Sequence, residues 1–139
     1  YEPELLLARD KGAELVSVGA LVQTPLTTLM SLKDITRPQD LAGKRVGTSG
    51  LPYQSAYLQT ILAKAGVDPE TVKETSVGFN LVPAMLSDKV DATLGAFWNY
   101  EGEDLKRRGL LAQQQGRPMF LGQDLQHFDD PLSSLLRLV

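Results

Sequence analysis

The 139-residue chain contains no cysteine and a single histidine, His127. Without cysteine it can form neither disulfide bonds nor thiolate sites, and one histidine excludes metal sites built from several imidazoles, although carboxylate sites stay open. Basic residues are also scarce, with 14 Lys and Arg against 17 Asp and Glu. The resulting net charge of -3 argues against a nucleic-acid-binding protein, because phosphate binding requires a basic surplus.

Long apolar runs are missing as well. No stretch approaches the roughly 18 to 20 apolar residues of a membrane-spanning helix. The start, Tyr1-Glu2-Pro3-Glu4, lacks a signal peptide's basic residues and apolar segment, and it lacks Met. We therefore expect a processed chain or a piece of a longer protein. The composition itself, 42% apolar and 22% charged, is that of a globular domain with a core.

Strand and helix patterns alternate along most of the chain. Helices are predicted over residues 3–11, 52–65, 81–87, 99–108 and 131–139, and strands over 14–22, 26–32, 44–48, 73–77, 91–97 and 119–121. The clearest helix has apolar residues at i, i+3, i+4 and i+7, namely Leu58, Ile61, Leu62 and Ala65. Alternation with short loops predicts an α/β fold with a mixed, mostly parallel sheet.

Three predicted strand-to-helix loops are rich in glycine, amide and aromatic residues. They cover residues 48–54, 78–80 and 96–101. In an open α/β sheet such loops converge beyond the carboxyl ends of the strands, where ligands bind. Each loop also opens a helix whose first N–H groups can bind an acceptor. Rings stack on rings while amides fix orientation, so the pattern predicts a site for a flat, polar, aromatic small molecule.

The candidate ligand-binding residues fall into three chemical groups. Hydroxyl and backbone donors are Thr48, Ser49 and Gly50; polar contacts are Asn80, Asn99 and Glu101; stacking rings are Tyr53 and Trp98. Structural roles stay open for five of them. Ser49 and Asn80 are most economically helix N-caps, and Glu101 is typical of a carboxylate that complements a helix dipole. Trp98 could be a packing residue, and Tyr53 could pack beside Tyr57 on one helix face.

Catalytic motifs are not found. The sequence has no G-x-S-x-G elbow, no Walker lysine loop and no dinucleotide-binding G-x-G-x-x-G. Ser49 and His127 do not form a credible pair, because nothing orients the imidazole. We therefore predict binding rather than catalysis, with no cofactor and no metal. An enzyme with Glu101 or Asp91 as its acid–base group is the alternative, and a strongly raised carboxyl pKa beside a pocket would favour it.

The sequence from Gly43 to Gly102 resembles the second lobe of solute-binding proteins of ABC importers. Three pieces carry the resemblance: residues 44–57, residues 77–85, and residues 89–92 leading to Trp98-Asn99-Tyr100-Glu101. The branch it resembles most binds thiamine pyrimidine precursors and related compounds. The resemblance implies a periplasmic-binding-protein-like lobe of three layers, αβα, truncated relative to a two-lobed parent that closes on a hinge around its ligand.

The resemblance also implies a domain organisation and partners. Residues 1–22 would be a remnant of lobe one with its hinge strand, residues 23–121 ligand-binding lobe two, and residues 122–139 a poorly matched C-terminal tail. Gln23 would lie at the hinge and contact ligand. The parent would be extracytoplasmic, in the periplasm or as a membrane-anchored lipoprotein. Its partners would be a small-molecule ligand and an ABC permease. Because half of the cleft would be absent, we expect weak or no binding by this chain alone.

Two other functions stay open. The apolar segment from Leu5 to Val22 would lack its lobe-one partners, and it could form a homodimer or exchange between copies to cover itself. The same fold also serves a pyrimidine synthase of thiamine biosynthesis. The resemblance ties that enzyme to a histidine and a cysteine-rich, iron-associated motif, and a chain without cysteine lacks the motif.

Overall fold

A computed structural model describes residues 2–21 and 26–110 of the chain. Its elements are α1 (Glu2–Asp10), β1 (Thr27–Met30), β2 (Arg45–Thr48), α2 (Pro52–Lys64), β3 (Lys73–Ser76), α3 (Leu81–Leu86), β4 (Ala92–Phe97) and α4 (Glu101–Arg107), with 3₁₀ turns at Pro38–Leu41 and Pro69–Thr71. The four helices and the strands from β1 to β4 are confirmed. In these two ranges no helix is long and apolar enough to span a membrane. The strand and helix predicted after residue 110 lie outside the described residues.

The four strands form one sheet in the order β1-β4-β2-β3. The central strand β2 runs parallel to both β3 and β4, whereas β1 pairs antiparallel with β4. The predicted mixed, mostly parallel sheet is therefore confirmed. The chain runs outward from β2 to β3 through α2 and then returns past β2 to β4 through α3. Crossovers in a parallel sheet share one hand, so these two lie on opposite faces.

Helices cover both faces of the sheet and give the predicted three layers. On one face, Leu58 and Leu62 of α2 pack against the sheet residues Val46 and Leu94. On the other face, the buried side chains are Met30, Leu81, Val82, Ala84, Met85, Val90, Ala96 and Leu105. Each fully buried leucine contributes roughly 1.5–3 kcal/mol of transfer free energy, so both layers hold the sheet.

A bulge in β4 changes which residues face which layer. Thr28 pairs with Ala96 and Leu29 with Leu94, which leaves Gly95 as an extra, unpaired residue. Its φ of +107° is one that L side chains rarely adopt. In a regular strand residues 94 and 96 would share a face, but here Leu94 belongs to the α2 layer and Ala96 to the α3 layer. The glycine therefore allows the strand end to turn over.

The strand predicted over residues 14–22 is wrong for its described part. Residues 13–20 have no regular secondary structure, residues 13–21 are exposed, and Val18 is 98% exposed. A strand is stabilised when its N–H and C=O groups pair with a neighbouring strand. No strand of the described part pairs with this segment, so its composition alone does not form one. Its last predicted residue, Val22, lies outside the described ranges.

Candidate functional site

The carboxyl ends of β2, β3 and β4 lie at one edge of the sheet, because these strands are mutually parallel. The loops after β2 and β3 are in contact. The Val77 N–H donates to the Thr48 carbonyl at 2.8 Å, and a Cβ at Gly50 would lie 2.7 Å from Ser76 Oγ. Strand β4 runs three residues past Leu94, which pairs with Thr48. Because Gly95 is an extra residue in the bulge of β4, two regular residues remain, and at about 3.3 Å per residue the end stands about 7 Å further out.

Ser49 is held by a glutamine that we did not select from the sequence. Its N–H and its hydroxyl both donate to Oε1 of Gln54, each at 2.9 Å. Gln54 is only 2% exposed. A sequence signal for it does exist, since Gln54 precedes Leu58 and Leu62 by one and two helical turns and so shares their buried face.

Thr48 is buried rather than presented at the carboxyl edge of the sheet. Its side chain is 1% exposed, and its hydroxyl donates to Oε1 of Glu74 on β3 at 3.2 Å. The Ser55 hydroxyl donates to the other oxygen of Glu74 at 2.8 Å. The Thr48 hydroxyl, predicted as a ligand donor, is thus engaged within the protein. Glu74 thus links the end of β2 to β3 and to the first turns of α2.

Tyr53 lies in the first turn of α2, directly after the Gly50 loop. Its ring meets that of Tyr57 edge-to-face, with centroids 5.4 Å apart and planes at 65°. Tyr53 is half-buried and Tyr57 is exposed. Edge-to-face pairs are a favoured aromatic geometry, so the pair holds Tyr53 against α2 at the carboxyl edge of the sheet.

Trp98 follows β4 and is 45% exposed. Its backbone N–H donates to the Leu26 carbonyl at 3.3 Å, which fixes the end of β4 to the start of β1. The indole therefore lies at the surface of the carboxyl edge rather than in the core. Gln23, the predicted hinge residue, lies outside the described residues.

Asn99 and Glu101 line a groove of about 980 Å³ together with Phe79 and Tyr100. Glu101 Oε2 accepts the Phe97 N–H at 2.7 Å, so this carboxylate secures the turn between β4 and α4. Asn80 occupies the N-cap position of α3, but its side chain makes no capping hydrogen bond. Asn99 and Glu101 thus share one groove, on the side of the α3 layer. Ser49 and Tyr53 lie towards α2 at the same sheet edge.

Asp91 lies at the opposite, amino edge of the sheet. Arg45 donates to its carboxylate through Nε at 3.0 Å, Nη2 at 2.9 Å and the backbone N–H at 2.8 Å. The hydrogen bonds from the Arg45 guanidinium hold the pKa of Asp91 well below its usual range. An acid–base role would need a raised pKa, so this geometry does not support Asp91 in that role. Among the described residues, no cluster of three acidic or histidine side chains could hold a metal ion.

Comparison with known proteins identifies relatives of two kinds. Residues 1–126 match the family described as NMT1/THI5 like. The chain is 39% identical over 111 residues to the formylaminopyrimidine-binding protein of Halalkalibacterium halodurans, covering 78% of this chain and 34% of that protein. It is 34% identical over 101 residues to the 4-amino-5-hydroxymethyl-2-methylpyrimidine phosphate synthase of Legionella pneumophila, covering 71% of this chain and 31% of the enzyme.

The solved structures extend the comparison to the fold. The periplasmic aliphatic sulphonate binding protein SsuA from Escherichia coli superposes with a TM-score of 0.60 and 23% sequence identity, covering 85% of this chain and 40% of that one. The three layers are therefore those of a periplasmic-binding-protein-like lobe. The chain spans only about a third of the length of the two curated relatives.

Proposed function

The chain belongs to the NMT1/THI5-like family, and we propose that it forms a ligand-binding lobe of an ABC-importer solute-binding protein that captures a thiamine pyrimidine precursor. The 39% identity to a formylaminopyrimidine-binding protein carries this proposal. The periplasmic-binding-protein-like fold and the loops gathered at the carboxyl edge support it. In the two-lobed protein that we propose, residues 1–22 of this chain would belong to lobe one and its hinge strand. Residues 23–121 would belong to lobe two, and Gln23 would lie at the hinge.

Binding would be non-covalent and divided between rings and hydrogen-bonding groups. Trp98 offers a half-exposed indole at the β4 end, and Tyr53 offers a ring braced by Tyr57. Gly50 lies exposed in the loop that opens α2, and Asn99 and Glu101 line the groove below the β4 end. A planar heterocycle would stack on the rings while the polar groups fix its orientation. In the intact protein the site would face a second lobe. That protein would lie outside the cytoplasm and would deliver its ligand to an ABC permease.

Trp98 provides a direct test, because it is the only tryptophan in the chain. Its fluorescence should change when formylaminopyrimidine or 4-amino-5-hydroxymethyl-2-methylpyrimidine is titrated in, and an aliphatic sulfonate serves as the comparison ligand. We expect weak binding by this chain and tighter binding by a version extended with a second lobe. Sub-micromolar affinity of the chain alone would contradict the two-lobed arrangement. A response to the sulfonate alone would contradict the pyrimidine assignment.

Replacing Trp98 by alanine separates binding from folding. We expect Trp98→Ala to weaken pyrimidine binding about tenfold, since stacking and burial of one ring contribute on the order of 1–1.5 kcal/mol. Because the indole is 45% exposed, the free energy of unfolding should change little. Calorimetry and urea unfolding measure the two effects, and Trp98→Phe, which keeps a ring, is the control. Unchanged affinity in the alanine variant would remove Trp98 from the site.

A pyrimidine synthase is the second candidate, favoured by the 34% identity to the Legionella pneumophila enzyme. Growth of a strain that cannot make the thiamine pyrimidine distinguishes the two functions. A synthase would allow growth without added pyrimidine, whereas a binding protein with its permease would only lower the amount of precursor required. Growth in the complete absence of precursor would replace the binding proposal with the enzymatic one.

The exposed segment before β1 supports a third, structural role. Leu15, Val16, Val18 and Leu21 are between 46% and 105% exposed. Apolar side chains this exposed are typical of a surface that another chain covers, and a second copy could supply that cover. Light scattering across a concentration series tests for this homodimer. A strict monomer at high concentration would contradict it.

A further inference from the structure

The amide of Gln54 is buried at the sheet edge in one fixed orientation. The side chain is 2% exposed, and both bonds from Ser49 end on a single atom of the amide. A backbone N–H can only donate, so the atom facing Ser49 is necessarily the oxygen Oε1. The nitrogen Nε2, with two N–H donors, is therefore directed away from Ser49.

The other side of this amide is the bulge in β4. A Cβ built at Gly95 would overlap Nε2 of Gln54, so the nitrogen occupies the space that any other residue would fill. Gly95 lies one residue beyond Leu94, which is level with the last residue of β2. The amide nitrogen is thus placed between the ends of β2 and β4, at the edge where ligands of this fold class bind.

Nε2 has no acceptor in the part of the chain that the structure describes, although Oε1 accepts twice. Gln54 Nε2 is not among the fully enclosed side-chain atoms that lack a hydrogen-bond partner in those ranges. The unpartnered Nε2 therefore still reaches the surface. A nearly buried amide whose donors stay unpaired carries a desolvation penalty that destabilises the protein. An acceptor on a ligand would remove that penalty.

We propose that Gln54 is a ligand-binding residue whose Nε2 donates a hydrogen bond to an sp² acceptor, a ring nitrogen or a carbonyl oxygen, of the planar ligand. This inference rests on the proposed binding function and adds to it a residue and a ligand requirement. The fixed amide offers a donor and no acceptor on this side. A ring without an acceptor would leave the donor unpaired, so the site would select against it.

NMR spectroscopy of the 139-residue chain tests this even when binding is weak. The side-chain NH₂ signal of Gln54 is assigned in the isotope-labelled, unaltered chain through its bond correlations to the Gln54 Cβ and Cγ. Two probes are titrated to millimolar concentration: 4-amino-5-hydroxymethyl-2-methylpyrimidine and its benzene isostere, in which CH groups replace both ring nitrogens. We expect the pyrimidine to shift the Gln54 NH₂ signal and the isostere to leave it in place while both perturb the Trp98 indole.

The matched variants are Gln54→Glu and Gln59→Glu, which make the same chemical change on the same helix at a buried and at an exposed position. Gln54→Glu should weaken pyrimidine binding at least tenfold and reduce the preference over the isostere, whereas Gln59→Glu should change neither. If Gln54→Glu fails to fold, the NH₂ signal of the unaltered chain still decides.

The outcomes separate this inference from the function it rests on. Pyrimidine binding that perturbs Trp98 but leaves the Gln54 NH₂ signal unmoved would overturn the role of Gln54 and leave the binding function standing. An equal shift from the isostere would overturn the acceptor requirement. No response at any resonance to either probe, in this chain and in the version extended with a second lobe, would overturn the binding function and this inference together.

Discussion

The two edges of the sheet use polar residues in opposite ways. At the amino edge, Asp91 is 11% exposed in its side chain and accepts from Arg45 and Lys33. Asp88 pairs with the same two cations. The carboxyl edge instead exposes Asn80, Asn99 and Trp98. There the side-chain nitrogen Nε2 of Gln54 has no acceptor among the described residues.

This difference separates groups that stabilise the lobe from groups available to a ligand. A polar group that is fully engaged inside the protein is costly to remove, because its partners are left unpaired. A polar group facing solvent contributes little to stability and remains free to bind. Substitutions at the amino edge should therefore act on unfolding, and substitutions of the exposed polar groups at the carboxyl edge should act on binding.

The largest expected effect is that of Asp91→Asn. The change removes the charge that Arg45 and Lys33 share, and we expect the free energy of unfolding to fall by about 2–3 kcal/mol. Urea unfolding measures it. Asp104→Asn is the matched control, since among the described residues Asp104 pairs with Arg108 alone, on the surface of α4, and the change should cost less than about 1 kcal/mol. Equal effects of the two variants would show that the amino edge is not a stabilising cluster.

Gly95→Ala should have the next largest effect. The new methyl group would overlap Gln54 Nε2 and the backbone would keep a φ of +107°, so we expect a loss of about 2 kcal/mol together with lost ligand binding. Gly66→Ala is the control, because Gly66 also has a positive φ but nothing within 4 Å of a new Cβ. It should cost only the strain of a side chain at a left-handed φ, about 1 kcal/mol. Equal thermal unfolding midpoints for the two variants would contradict the overlap.

Acid should act through the amino edge and by a smaller amount. Hydrogen bonds from Arg45 lower the pKa of Asp91, and the hydrogen bond from Lys33 lowers the pKa of Asp88. A carboxyl with a lowered folded-state pKa contributes stability above its unfolded pKa of about 3.9 and loses it as the pH falls further. The urea concentration at the unfolding midpoint should therefore fall as the pH is lowered past about 4. The fall should be less steep in Asp91→Asn. Parallel curves for the two proteins would place the acid-sensitive groups elsewhere.

Local patterns in the sequence predicted the helices, four of the strands and a mixed, mostly parallel sheet. The end of α2 is an example: Gly66 N–H donates to the Ala63 carbonyl and Val67 N–H to the Leu62 carbonyl. This is the Schellman pattern that a glycine followed by an apolar residue predicts. Signals of this kind lie within a few residues, so a single sequence contains them.

Features set by distant residues could not be predicted in this way. The segment over residues 14–21 has strand-like composition, but strand formation depends on a partner that no local pattern reports. The partners of the site residues are equally non-local, because Thr48 meets Glu74 and Gln54 meets Gly95 only once the strands align. The sequence therefore predicted which loops meet at the edge, but not which side chains would be engaged there.

Asn80→Ala has the smallest expected effect on stability and tests the comparison most finely. Asparagine before a helix usually caps it and contributes about 1 kcal/mol, but the Asn80 side chain makes no capping bond to α3. Asp68 does cap, accepting the Glu70 N–H at 3.0 Å ahead of the 3₁₀ turn Pro69–Thr71. Asp68→Ala should therefore cost about 1 kcal/mol and Asn80→Ala almost nothing in urea unfolding.

If Asn80→Ala costs as much as Asp68→Ala, Asn80 is a cap and not a free group of the carboxyl edge. If it leaves stability unchanged and weakens pyrimidine binding, the carboxyl edge is the part of this lobe whose polar groups serve the ligand.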